Sequence, residues 1–77
     1  MKTKEQIIED IRKWYGLGAE EVKIQVDKVT KCVMYTTGIW TENSQQAIAG
    51  ENQYTLRVTS TAQYPQPKHA ILVVIYY

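Results

Sequence analysis

Three features of the 77-residue chain predict an α+β domain, in which an amino-terminal helix packs on a mainly antiparallel sheet of about four strands. Residues 3–15 carry their apolar side chains at the helical repeat. From position 22 the period changes from 3.6 to 2. The chain closes on an apolar run, in which residues 70–77 contain no charge, glycine or proline.

The helix rests on several independent signals. Ile7, Ile8, Ile11, Trp14 and Tyr15 form one stripe, and this places Trp14 and Tyr15 in the core. Thr3 and Gln6 have the spacing of a capping box. Glu5, Glu9 and Asp10 precede Arg12 and Lys13, the order the helix dipole favours, and Glu9 and Lys13 form an i,i+4 pair. Gly16 can stop the helix in a left-handed conformation, with Leu17 folding back on it.

Val22, Ile24 and Val26 alternate with Lys23, Gln25 and Asp27, the pattern of a half-buried strand. Val29, Val33 and Tyr35 then continue on the opposite parity, which fits either a bulge or a turn at 27–31. The turn is preferred, with a second strand at 32–40. Residues 41–52 are the most polar segment and fit either a short helix ending at Gly50 or an ordered loop. A third strand is expected at 53–62, where Tyr54, Leu56 and Val58 alternate with Thr55, Arg57 and Thr59. The segment 63–67 contains Pro65 and Pro67 and is expected to be extended.

The fourth strand is the terminal run. A strand apolar on both faces reads as buried on both sides, and left bare it would be an aggregation site. Either the chain places it inside the sheet, or a second molecule covers it. A chain of this size is one domain (1–77) and buries only about 60–65% of its unfolded surface. Cover for each large side chain of the tail would contribute roughly 1.5–3 kcal/mol, so a homo-oligomer joined through the last strand is expected.

Composition narrows the function. Nine Lys/Arg against eight Asp/Glu leave the chain nearly neutral, unlike most nucleic-acid binders. The tail is shorter than the roughly 20 apolar residues of a membrane-spanning helix. Residues 1–5 lack the apolar core of a signal peptide, and the single cysteine, Cys32, suits a reducing compartment. A soluble cytoplasmic protein is the resulting expectation.

Chemistry-bearing groups are sparse. With one histidine (His69) and one cysteine, no zinc ligand set can be assembled, and no acidic run has calcium-loop spacing. Dithiol redox chemistry lacks its second thiol. Ser44 or Ser60 with His69 and Asp10 or Asp27 supplies the residue types of a triad, but no local motif supports one. Gly16 to Ala19 superficially suggests a phosphate loop, yet it follows a helix rather than a strand. The reading is non-enzymatic, with no cofactor and no metal.

The aromatic content points to contact. There are two Trp and six Tyr but no Phe, and rings carrying a polar handle are enriched at interfaces. The leading expectation is a binding protein of adaptor or inhibitor type, which engages a protein partner through Ile39, Trp40, Tyr64, Leu72, Val74 and Tyr76. Proteins of this kind occur among phage and mobile-element accessory proteins, an analogy that the residues do not themselves carry. The alternative is a single-stranded nucleic-acid platform, on which Tyr54 stacks bases while Lys23, Lys28, Lys31 and Arg57 track phosphates.

Overall fold

The computed structural model describes residues 1–16, 22–55, 57–60 and 71–77, with the side chains of 53–55 and 57–60 left aside. The chain forms a small α+β domain with an amino-terminal helix and an antiparallel sheet. Helix α1 (Lys4–Tyr15) is followed by β1 (Lys23–Asp27), β2 (Cys32–Thr37), α2 (Glu42–Ala49), a 3-10 segment (Gly50–Thr55), β3 (Arg57–Ser60) and β4 (Ile71–Tyr76). Strands β1, β2 and β4 form a continuous three-strand antiparallel unit. The backbone of β3 pairs antiparallel with the far side of β4, so the order is β1-β2-β4-β3.

Helix α1 starts where Thr3 caps it, with Thr3 Oγ1 accepting from the amide of Gln6 at 3.2 Å. It stops at Gly16, whose amide donates to the Arg12 carbonyl at 2.9 Å. Gly16 has φ 73° and ψ 173°, an extended positive-φ conformation essentially confined to glycine, rather than the left-handed helical one expected. Leu17 lies outside the described residues. The buried stripe is Ile7, Ile11 and Tyr15, narrower than the sequence implies. Trp14 is 46% exposed, contrary to expectation. Ile8, one step of about 100° round the helix from Ile7, is partly buried and packs against the core beside the Ile7, Ile11 and Tyr15 line.

The turn at 27–31 is present, and Asp27 builds it without glycine or proline. Its Oδ1 accepts from the amides of Val29 (2.9 Å) and Thr30 (3.3 Å). Lys31 takes the positive φ of 53° that completes the reversal. Hydrogen bonds from Thr30, side chain first and then backbone, and from Val29 hold the Asp27 carboxyl below its ordinary range. Val29 sits in this turn, 92% exposed, instead of continuing a strand.

Two strand boundaries differ from expectation. Strand β2 ends at Thr37 rather than residue 40, because the Thr37 hydroxyl bonds both the amide and the carbonyl of Ile39 at 3.1 Å and turns the chain out of the sheet. The segment 53–55 is 3-10 helix instead of strand. The strand begins only at Arg57, and residues 61–70 lie outside the described residues.

The polar segment 41–52 resolves into α2. Thr41 and Ser44 cap it reciprocally, Ser44 N to Thr41 Oγ1 at 3.2 Å and Thr41 N to Ser44 Oγ at 3.1 Å. Topology gives the helix its purpose. Strands β2 and β3 both run antiparallel to β4, hence parallel to each other, and parallel strands need a crossover connection. Helix α2 provides it and buries Ile48 and Ala49 against the same face as α1.

A polar clip ties the amino terminus to this layer. The fully buried side chain of Asn52 accepts from the Lys2 amide (3.1 Å) and donates to the carbonyls of Lys2 (3.3 Å) and Tyr76 (3.0 Å). Lys2 Nζ meets Asp10 at 2.6 Å and the Ala47 and Ile48 carbonyls at 2.7 and 3.0 Å, placing a cation at the negative end of α2. Gly50, with φ 54°, keeps this approach open, since a Cβ there would lie 3.0 Å from Lys2 Cε.

Candidate contact surface

Strand alternation divides the sheet into two unequal faces. Val33, Tyr35, Ile71, Val73 and Ile75 join Ile7, Ile11, Tyr15, Ile48 and Ala49 in the core, with Ile24, Val26 and Trp40 packed against it. On the opposite face, register places Thr36 beside Lys23 and Leu72, Met34 beside Gln25 and Val74, and Cys32 beside Asp27 and Tyr76. Leu72, Val74, Tyr76, Met34 and Thr36 are half-buried. Among the described residues no helix lies over them. Lys23, Gln25, Met34, Thr36 and Leu72 line a shallow depression on this face.

The open face is thus an apolar centre with a polar margin along β1. Lys23, Lys28 and Lys31 are exposed, and none of them takes part in an ion pair among the described residues. The hydrogen-bonding edges of β4 are in use. Strand β2 occupies one along its whole length, β3 the other from Ile71 to Val74, and Asn52 takes the Tyr76 carbonyl. Among the described residues β4 is thus paired on both sides along most of its length, and its open face is the larger surface it leaves uncovered.

The sequence-derived contact residues do not converge on one patch. Leu72, Val74 and Tyr76 share the open face. Ile39 and Trp40 belong to the helix side, where Tyr15 Oη donates to the Ile39 carbonyl at 2.9 Å. That bond pins the backbone while the Ile39 side chain stays 64% exposed. Trp40 packs on the core, and its indole Nε1 is buried without a hydrogen-bond partner among the described residues. Tyr64 and His69 lie outside the described residues, and for Tyr54 and Arg57 only the backbone is described. Met34 and Gln25 were missed in the sequence. The signal was there in the alternation of Cys32 and Met34 with the buried Val33 and Tyr35.

Three of the triad candidates make other contacts, while His69 and the side chain of Ser60 lie outside the described residues. Ser44 is spent on the α2 cap, Asp27 on its turn, and Asp10 on Lys2. Cys32 is buried, 3.3 Å from the Thr30 hydroxyl. Among the described residues no cluster of three or more His, Cys, Asp or Glu could hold a metal. No helix there is long and apolar enough to cross a membrane.

The Tyr35 hydroxyl is likewise buried and without a hydrogen-bond partner among the described residues. Its ring meets that of Tyr15 at a centroid distance of 5.8 Å. Burial pushes the phenol well above its ordinary 10.0, and Tyr15 adds to the effect. No protein-family model matches the chain, and neither a curated protein nor a solved structure shows a significant match.

Proposed function

We propose that this is a small non-enzymatic binding protein of adaptor or inhibitor type, which acts in the cytoplasm by contact and as a homo-oligomer. The observation that supports this is the run Leu72, Val74 and Tyr76 on the sheet's open face, apolar and half-exposed at the centre of the sheet. A central strand normally has both faces covered when it is apolar on both. Exposed contiguous apolar surface with a polar rim is typical of contact sites. Met34 extends the patch, and the β1 margin supplies the rim.

The decisive substitution is Val74→Glu, which places a charge mid-patch without touching the helix-side core. Cross-linking capture from the native host should recover a protein partner with the native chain and lose it with Val74→Glu, while the far-UV circular dichroism is unchanged. Equal capture by both chains would refute the open face as the contact site.

The exposure of Lys23, Lys28 and Lys31 on the β1–β2 hairpin favours a second reading, a single-stranded nucleic-acid platform. Its mark would be affinity for a labelled oligonucleotide that falls steeply with salt. Absence of binding at low salt eliminates it.

A further inference from the structure

Strand β1 forms an edge of the sheet, and among the described residues its outer side pairs with nothing. An unpaired edge is a template for another strand. The residues of β1, Lys23-Ile24-Gln25-Val26-Asp27, have a property that selects which strand. Turned end for end about Gln25, the segment complements itself. In an antiparallel pair with its own copy, Lys23 stands opposite Asp27, Ile24 opposite Val26, and Gln25 opposite Gln25.

We infer that two copies of this chain pair antiparallel along β1, with the two-fold axis at Gln25, to form one continuous sheet. Both kinds of residue are matched by this register. Lys23 and Gln25 are exposed, whereas Ile24 and Val26 are half-buried against the helix-side core. Opposite residues in an antiparallel pair project to the same side, so Ile24 and Val26 of the two copies extend one core across the seam. Lys23 of each copy meets Asp27 of the other on the open face, and such opposite-charge pairs stabilise a sheet where like charges would oppose it.

Centring the pair on Ile24 would set Lys23 against Gln25 and leave Asp27 without a cation. Centring it on Val26 would set Ile24 against Lys28. Only the Gln25 axis matches charge with charge and apolar with apolar. A lysine on an edge strand ordinarily discourages pairing, and here it selects the antiparallel self-register. The arrangement refines the homo-oligomer of the proposed function and stands independently of any protein partner. It also leaves the β4 face of both copies open on the same side of the joined sheet.

The seam is short, so association is expected in roughly the micromolar range of small interfaces. Analytical ultracentrifugation of the full chain from about 10 µM to about 1 mM should show a monomer–dimer equilibrium. Lys23→Glu should raise the dissociation constant about tenfold or more by placing carboxylate against carboxylate twice. Asp27→Lys should do the same, and an equimolar mixture of the two variants should recover native affinity to within about threefold, because both cross-pairs are then opposite in sign.

Asp27 also builds the turn, so a second variant avoids dependence on its fold. Gln25→Cys in a Cys32→Ala background should oxidise with glutathione disulfide to a symmetric disulfide-linked dimer. Arg12→Cys, exposed on the helix, should not in the same background. A monomer throughout the concentration range overturns the inference, as does a dimer indifferent to Lys23→Glu. A dimer dissolved by Val74→Glu and not by Lys23→Glu also overturns it, and would join the copies through the open face instead. Loss of partner capture in Val74→Glu with the dimer intact supports both assignments separately.

Discussion

Ile71, Val73 and Ile75 are 7%, 0% and 1% exposed, whereas Leu72, Val74 and Tyr76, their neighbours on the same strand, are only half-buried. The two sets are both uncharged and largely apolar, and they differ by one residue in register. Side chains alternate between the faces of a strand, so the partition depends on which face α1 and α2 cover. Composition makes β4 interior within the sheet, while the helices decide which of its faces becomes core. The helix side is built for stability. The opposite side carries comparable apolar surface that the described residues do not use internally.

The sharpest way to break this comparison is to truncate one residue of each set. Ile75→Ala removes a fully enclosed side chain and should cost about 2–5 kcal/mol, transfer and cavity terms together. Leu72→Ala should cost under about 1.5 kcal/mol, because its partial burial forfeits less transfer energy and water can fill the space. Urea unfolding of both variants measures the difference. For a domain holding only about 5–15 kcal/mol in total, the first is severe. Equal losses would mean that the open face is enclosed.

A smaller effect tests the clip that seats β4 beneath the amino terminus. Asn52→Ala removes its hydrogen bonds to the part-buried Lys2 amide and to the carbonyls of Lys2 and Tyr76. About 1–3 kcal/mol should be lost, read as a lower urea midpoint with an unchanged m-value. Amide exchange should quicken first at residues 2–4 and 76–77. Uniform acceleration along the chain would show that Asn52 is no local clip.

The smallest effect sharpens the description of the covered face. Among the described residues the buried Tyr35 hydroxyl has no well-formed hydrogen bond, so Tyr35→Phe should be neutral or slightly stabilising, against the usual loss on removing a bonded hydroxyl. The pH dependence has a definite sign. Burial raises the folded-state value above the ordinary 10.0, so the unfolded chain releases this proton first. Stability should be level below about pH 10 and fall as pH rises beyond it. Tyr35→Phe should flatten that alkaline decline, as measured by thermal unfolding between pH 9 and 11. An unchanged slope would place the titrating group elsewhere.

Local pattern determined much of this molecule. Thr3, the Ile7–Ile11–Tyr15 line and Gly16 delimit α1, since caps and a 3.6-residue repeat act over a few residues. The alternation at 22–26 and the uncharged run at 70–77 marked their strands, since burial leaves a period of two or none. Asp27 built a turn that lacked the usual turn residues, legible only by asking what its carboxylate could accept. Among the contact residues, Leu72, Val74 and Tyr76 were identified as a set by parity, but parity alone could not say which way they face.

Tertiary structure decided the rest, because the deciding interactions join residues far apart in the chain. Asn52 reaches Lys2 and Tyr76, and nothing in the surrounding polar run distinguishes it from a solvated loop residue. Trp14 is 46% exposed beside the buried Tyr15, a difference set by packing and invisible in helical periodicity. Strand order is the largest such decision. Among the described residues it places β4 inside the sheet and leaves the outer side of β1 unpaired, and thereby moves the open pairing sites from the apolar tail to a self-complementary strand of five residues.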